Sequence, residues 1–170
     1  MAEAKQLNLP HVFDRPNCGQ AFENAASSSS SLFAMSTSKQ RIISPHVAEY
    51  PPGYWSNCIR AGNTLWLSGF TARADDRTTI LGVGDAYEQS RVIFEKVRNC
   101  VEAAGAGMAD VVNMTIYVTD MADNKQVWKA RQEFFEGDFP ASTLVQVVAL
   151  GTPEILVEIA CQAIAPPQAD

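Results

Sequence analysis

Glu158 is the first residue in this chain that could do chemistry. It lies in ILVEIACQAI (155–164), an otherwise uncharged run rich in β-branched residues. Side chains of a strand alternate between faces. Ile155, Val157, Ile159, Cys161 and Ala163 then form one apolar face, opposite Leu156, Glu158, Ala160, Gln162 and Ile164. A carboxylate buried without a partner is costly. Partial burial also raises its pKa towards a range useful for proton transfer. An ion pair with a neighbouring residue is the plainer role for such a group. A second set of side chains sits on PHVAEYPPGYW (45–55), a loop stiffened by Pro45, Pro51 and Pro52 that presents Tyr50, Tyr54 and Trp55. Aromatics on a rigid loop line a pocket or pack over a domain edge.

Other chemistries are disfavoured. His11 and His46 are the two histidines and neither stands near a second ligand-type cluster, so no metal site is expected. Cys18, Cys58, Cys100 and Cys161 are scattered without metal-like spacing and read as small core residues. Glycine-rich phosphate-binding motifs do not occur, so no cofactor is expected. No histidine is placed by motif to activate Ser68 as a nucleophile. A net charge of −6 with no basic run makes nucleic acid and anionic membranes poor partners. Neither a membrane-length apolar run nor a secretory signal is visible, so a cytoplasmic protein is expected.

The elements that must position these residues fit one domain of the 170-residue chain. Residues 1–40, with ENAASSSSSLFAMSTSKQ, read as a flexible Ser-rich leader, and Met35 is a possible alternative start. The domain spans 41–166, and 167–170 form a tail. Strands are expected at 41–44, 57–61 and 64–68, the last two joined in a hairpin at Gly62-Asn63. Residues 71–84 read as loop with one short strand near Ile80. Asp85 caps a helix that Gly105 ends. A strand follows at 111–118, with Val112, Met114, Ile116 and Val118 on one face. A second helix is expected over 122–136, with Val127, Ala130 and Phe134 inward. Two more strands close the domain, joined at Gly151-Thr152-Pro153.

The order β-β-β-α-β-α-β-β gives an α+β fold with one sheet and two amphipathic helices. Two helices cover one sheet face. The other carries Trp66, Tyr117, Leu144, Val148, Leu156 and Ile164 beside Asn113, Thr115, Gln146, Glu158 and Gln162. So much apolar surface is unusual on a monomer, and burial against further copies of the chain removes it.

Four segments in order also resemble the Rid (YjgF-type) family of small enamine/imine deaminases. These are GNTLWLSG (62–69), AAGAGMADVVNMTIYVTDM (103–121), Phe134-Phe135, and the closing Phe-Pro-Ala strand with its later Val-Glu-Ile. The resemblance covers roughly 41–165. It implies a chorismate-mutase-like fold assembled as a homotrimer, with small-molecule substrates bound between subunits. It also implies that Glu158 handles the water attacking an imine carbon, and it matches Tyr54 to a pocket tyrosine that could hydrogen-bond substrate or water.

The departures from the family pattern are informative. Family members with the deaminase activity carry Arg after Pro-Ala, as a two-pronged clamp on the substrate carboxylate. Here Ser142 follows Pro140-Ala141, so the chain resembles an Arg-lacking branch. The turn Ser68-Gly69-Phe70 ends in Phe70 instead of glutamine, Trp128 stands for a common asparagine, and Ala160 for a second glutamate. The implied pocket is more aromatic and less suited to a small acid. Arg73 and Arg131 are the candidate replacement cations. The leading expectation is a cofactor-free deaminase using Glu158 and water. The alternatives are a tautomerase or cyclase acting on a larger aromatic substrate, and a non-catalytic ligand-binding trimer.

Overall fold

The computed structural model describes residues 39–167, so nearly all of the expected leader, with Cys18 and His11, and residues 168–170 of the tail lie outside the described residues. Six strands form one sheet: β1 Gln40–Ile42, β2 Cys58–Ala61, β3 Thr64–Thr71, β4 Val111–Val118, β5 Ala141–Gln146 and β6 Val157–Ile164. Their spatial order is β1-β2-β3-β6-β4-β5. Two helices, α1 Ala86–Ala103 and α2 Asn124–Arg131, pack their buried residues into the same core cluster as Leu65, Met114 and Ile159. The α+β architecture expected from the sequence is the observed one.

The capping chemistry of α1 behaves as its sequence dictates. The Asp85 carboxylate accepts from the amides of Tyr87 and Glu88, both at 3.0 Å. Beyond the helix, Gly105 takes φ 77, where a side chain would be strained. The buried stripe runs through Ala86, Ser90, Ile93, Phe94, Val97, Cys100 and Val101. α2 is shorter than expected. A 3-10 turn at Met121–Asp123 precedes it, and after Arg131 the chain tightens, with Glu133 bonding back to Ala130. That winding buries Phe135 and leaves Phe134 half-buried, the reverse of the expected inner stripe.

Three further expectations are corrected. The two closing strands are not partners: β6 lies between β3 and β4, while β5 runs parallel to β4 at the sheet edge. A parallel neighbour needs a crossover, which α2 supplies. Strand β5 therefore takes its phase from β4, with Leu144 beside the core residue Ile116 and Gln146 beside Val118. Leu144 and Gln146 thus face the helices, and Thr143 and Val145 occupy the open face instead, because a one-residue shift swaps every side chain. Lastly, the β4–β6 register slips between Val111 and Asn113, so Val111 is buried and Val112 exposed.

The open face is as apolar as the alternation in β3, β4 and β6 predicts. Trp66 is 50% exposed and Ile164 46% exposed, with no described residue laid over them. Cys58, Cys100 and Cys161 are free and buried in the core, and burial pushes the first up to about 11 and the others up to about 12. Among the described residues, no helix is long and apolar enough to cross a membrane.

Arg60 ties the far end of the sheet together. It is buried on the helix side of β2 and donates to the carbonyls of Gly62 at 2.9 Å, Ala104 at 3.2 Å and Pro166 at 2.5 Å. One side chain thereby closes the β2–β3 turn, the end of α1 and the chain after β6. A cation at a helix C-terminus also meets the carbonyl end of the helix dipole. Arg60→Met strands three carbonyls and should lower unfolding free energy by about 3 kcal/mol, read by urea denaturation. An unchanged midpoint would assign those carbonyls to water.

Candidate functional site

Strand β3 cannot run straight and keep its core face. Leu65 and Leu67 are buried, and the next buried residue is Phe70, an odd step that alternation does not allow. The structure absorbs it as a bulge. Leu67 pairs with Cys161 and Phe70 with Ile159, so Ser68 and Gly69 together oppose Ala160. The Ser68 hydroxyl fixes the bulge by donating to the Ser56 carbonyl at 2.7 Å.

Beside this bulge, on the open face of β6, stands Glu158. Its cross-strand neighbours are Thr71 on β3 and Tyr117 on β4. The carboxylate folds directly over Gly69. A Cβ built on that glycine would lie 2.1 Å from Glu158 Oε1, so no side chain is compatible with this placement. Among the described residues, no hydrogen bond or ion pair reaches the Glu158 carboxylate. Burial raises its pKa above the ordinary glutamate value.

Glu158 opens onto a cavity of about 380 Å³. The floor is Ser68, Gly69 and Thr71 of β3 with Glu158 itself, and Gly151 and Ile155 close one side. Tyr50, Trp55 and Arg73 complete the lining. Each wall is held by side chains bonded to main chain. Asn57 donates to the Ala48 carbonyl and to Glu49, both at 3.1 Å, and the Arg41–Glu49 ion pair holds the same loop. Gln89, fully buried on α1, donates to the Glu154 carbonyl at 2.7 Å and accepts from the Leu156 amide at 2.8 Å, fixing the segment before β6. Lys96 reaches from α1 to the carbonyls of Thr71 and Arg73, and burial lowers its pKa.

Of the residues singled out in the sequence, Glu158, Ser68, Gly69 and Arg73 come together here. Tyr54 does not line the cavity. It is 70% exposed and packs at the outer side of the loop, its ring 6.1 Å from that of Trp55. Phe70 turns into the core on the far side of the bulge. Ser142 is exposed on the helix side of β5, beside Met114, and Trp128 is exposed on α2. Arg131 lays its guanidinium against Phe139, 5.2 Å from the ring centroid. These three are separated from Glu158 by the width of β4 and by the sheet itself. Thr71 and Gly151 were not anticipated. The odd spacing from Leu67 to Phe70 across a glycine is the signal that announces the bulge and the strand's extension to Thr71.

The family described as Endoribonuclease L-PSP matches residues 46–165. A 2-iminobutanoate/2-iminopropanoate deaminase of Dermatophagoides farinae is 34% identical over 113 residues, 66% of this chain and 88% of that protein. The chain belongs to the Rid family. Among solved structures, a Pseudomonas aeruginosa protein of unknown function overlays with a TM-score of 0.66 at 39% identity, covering 79% of this chain and 99% of its own. The YjgF gene product of E. coli overlays with a TM-score of 0.65 at 26% identity, covering 74% of this chain and 98% of its own. The Rid fold thus accounts for the sheet, the two helices and their order.

Keeping an unpartnered carboxylate half-buried opposes folding once that group is ionised. Between pH 4.5 and its raised folded value, the folded protein holds the Glu158 proton more often than the unfolded chain does. Stability therefore falls as pH rises through that window. Glu158→Gln removes the ionisation, so the variant should melt above the parent at neutral pH and level with it below pH 4.5. A variant that melts lower at neutral pH would reveal an unseen partner for the carboxylate.

Proposed function

We propose that this Rid-family protein hydrolyses an imine, or an enamine through its imine tautomer, to the carbonyl compound and ammonia. The observation that carries this reading is the unpartnered Glu158 carboxylate held over Gly69 at the floor of the cavity. Its free oxygens can accept a proton from a bound water while the water oxygen bonds to the imine carbon and the C=N electron pair moves to nitrogen. The proton then passes to the amine of the carbinolamine. Glu158 then carries the hydroxyl proton to that nitrogen as the C–N bond breaks, so the carbonyl forms, ammonia leaves and the carboxylate is regenerated. A raised pKa suits both halves, since the group must take a proton and return it. The deaminase relative supports the reaction class.

A second reading is favoured by the aromatic rim. The same carboxylate could move a proton between carbon and nitrogen of a larger enamine without admitting water, as a tautomerase. Ammonia release separates the two, because a tautomerase exchanges deuterium into substrate and liberates none.

We further propose that the protein works as a homotrimer. Ser142, Trp128 and Arg131 lie at the β5 edge, away from the Glu158 cavity of the same chain, and the open sheet face carries Trp66, Val145 and Ile164 exposed. Packing between copies would cover that face and bring an edge of one chain to the cavity of the next. Light scattering at micromolar concentration should give three times the chain mass, and a monomer refutes the assembly.

Activity should respond to both members of the close contact. Glu158→Gln should reduce the rate of ammonia release by at least about a hundredfold, the range of general acid–base catalysis. Gly69→Ala should cause a comparable loss by displacing the carboxylate, with a stability change within about 1 kcal/mol because the obstruction is a flexible side-chain end. The base must be ionised, so the rate should fall as pH drops through a pKa above 4.5. Full activity in Glu158→Gln would remove Glu158 from the reaction.

A further inference from the structure

Ser142 brings no charge to a substrate anion, whereas the cavity contains a cation of its own. Among the described residues, Arg73 is the one cation that lines the Glu158 cavity. It lies just past the end of β3, at an isolated bridge to Ile80, and its backbone carbonyl is held by Lys96. Its Nη1 donates to the Arg77 carbonyl at 3.1 Å, which steadies the guanidinium and leaves further N–H groups for a ligand. No ion pair with a described residue occupies it, and Glu158 owes its raised pKa to burial and to no charge. The cation and the carboxylate therefore face one cavity without neutralising each other.

Tyr50 and Trp55 line the same cavity and pack together, with ring centroids 4.0 Å apart and planes tilted by 38°. Arg77 lies 5.8 Å from the centroid of the Tyr50 ring, and the loop is pinned by Asn57 and Arg41. The result is an aromatic wall tied to the main chain. A cavity of about 380 Å³ falls in the range of roughly 300–1,000 Å³ that takes ligands larger than a three- or four-carbon acid.

We propose that Arg73 anchors the substrate carboxylate and that the Tyr50–Trp55 wall selects a flat apolar side chain, which makes the substrate class the 2-imino acids of aromatic or comparably bulky amino acids. This rests on the hydrolytic reading of Glu158. A carboxylate held at Arg73 and a ring laid on Trp55 leave the intervening imine carbon above the floor where Glu158 stands. Arg73 binds and orients, and Glu158 moves protons.

Binding of unreactive carboxylates tests the anchor apart from the chemistry. In calorimetric titrations, 3-phenylpropanoate should bind at least about tenfold tighter than propanoate or 3-phenylpropanamide. Arg73→Gln should lose about tenfold or more for 3-phenylpropanoate, with Arg73→Lys losing less and both melting like the parent. Trp55→Ala should erase the preference for the phenyl group. Glu158→Gln, which removes a like charge from the cavity, should bind 3-phenylpropanoate at least as tightly as the parent while losing ammonia release from freshly generated 2-imino-3-phenylpropanoate. Undiminished binding by Arg73→Gln, equal binding of propanoate, or no binding by the parent protein at 10 mM ligand, each overturns the proposal. If Arg73→Gln loses binding yet Glu158→Gln keeps ammonia release, the anchor stands and the hydrolytic role of Glu158 fails. Lost ammonia release with unaltered binding in Arg73→Gln has the opposite meaning.

Discussion

The close approach of the Glu158 carboxylate to the Gly69 backbone governs how the rest of the domain is arranged. A strand that kept perfect alternation would have to send Phe70 to the open face or pull Leu67 out of the core. The Ser68-Gly69 bulge resolves that conflict by inserting one residue opposite Ala160, so the core face continues through Phe70. The same extra residue leaves a stretch of bare backbone at Gly69, and Glu158 fills the space above it. Core packing and the placement of the reactive group are thus solved by one irregularity.

Around that contact, support is drawn from main-chain acceptors and amides more than from other charges. Asn57, Gln89 and Lys96 each reach backbone groups of a segment that borders the cavity. Such bonds fix geometry without placing a counter-ion beside Glu158, which a structural salt bridge would do. Lys96 is informative here, since its ammonium is spent on two carbonyls and stays out of the cavity lining that contains Glu158. The carboxylate is left free because its surroundings are satisfied elsewhere. Functional sites commonly retain this kind of local conflict while the scaffold around them is consistent.

Much of this was legible in the residue order. The apolar face of β6, the capped helix α1, the uncovered sheet face and Glu158 itself follow from alternation, helical spacing and the cost of burying charge. Strand β5 was not, because its neighbour is set by a crossover over α2, and the phase of a parallel partner leaves no mark on its own sequence. Thr143 and Leu144 are equally compatible with either face. The resemblance points to Tyr54, whereas Tyr50 and Trp55 line the cavity, and local sequence cannot tell which way a proline-rich loop leans. Backbone anchors from Arg41 and Asn57 decide it. Arg73 and Arg131 look alike in sequence, and only the fold puts one in the cavity and the other against Phe139.

The three core thiols carry a consequence of a different kind. Cys58, Cys100 and Cys161 sit on β2, α1 and β6, and burial keeps each in its unreactive protonated form at neutral pH. Oxidants and alkylating reagents need the thiolate and access to it, so they meet these sulfurs only when the surrounding elements part. Placed at three points of one packed interior, the cysteines act as built-in reporters of opening. Their relative labelling rates rank how often the hairpin, the long helix and the central strand separate from one another.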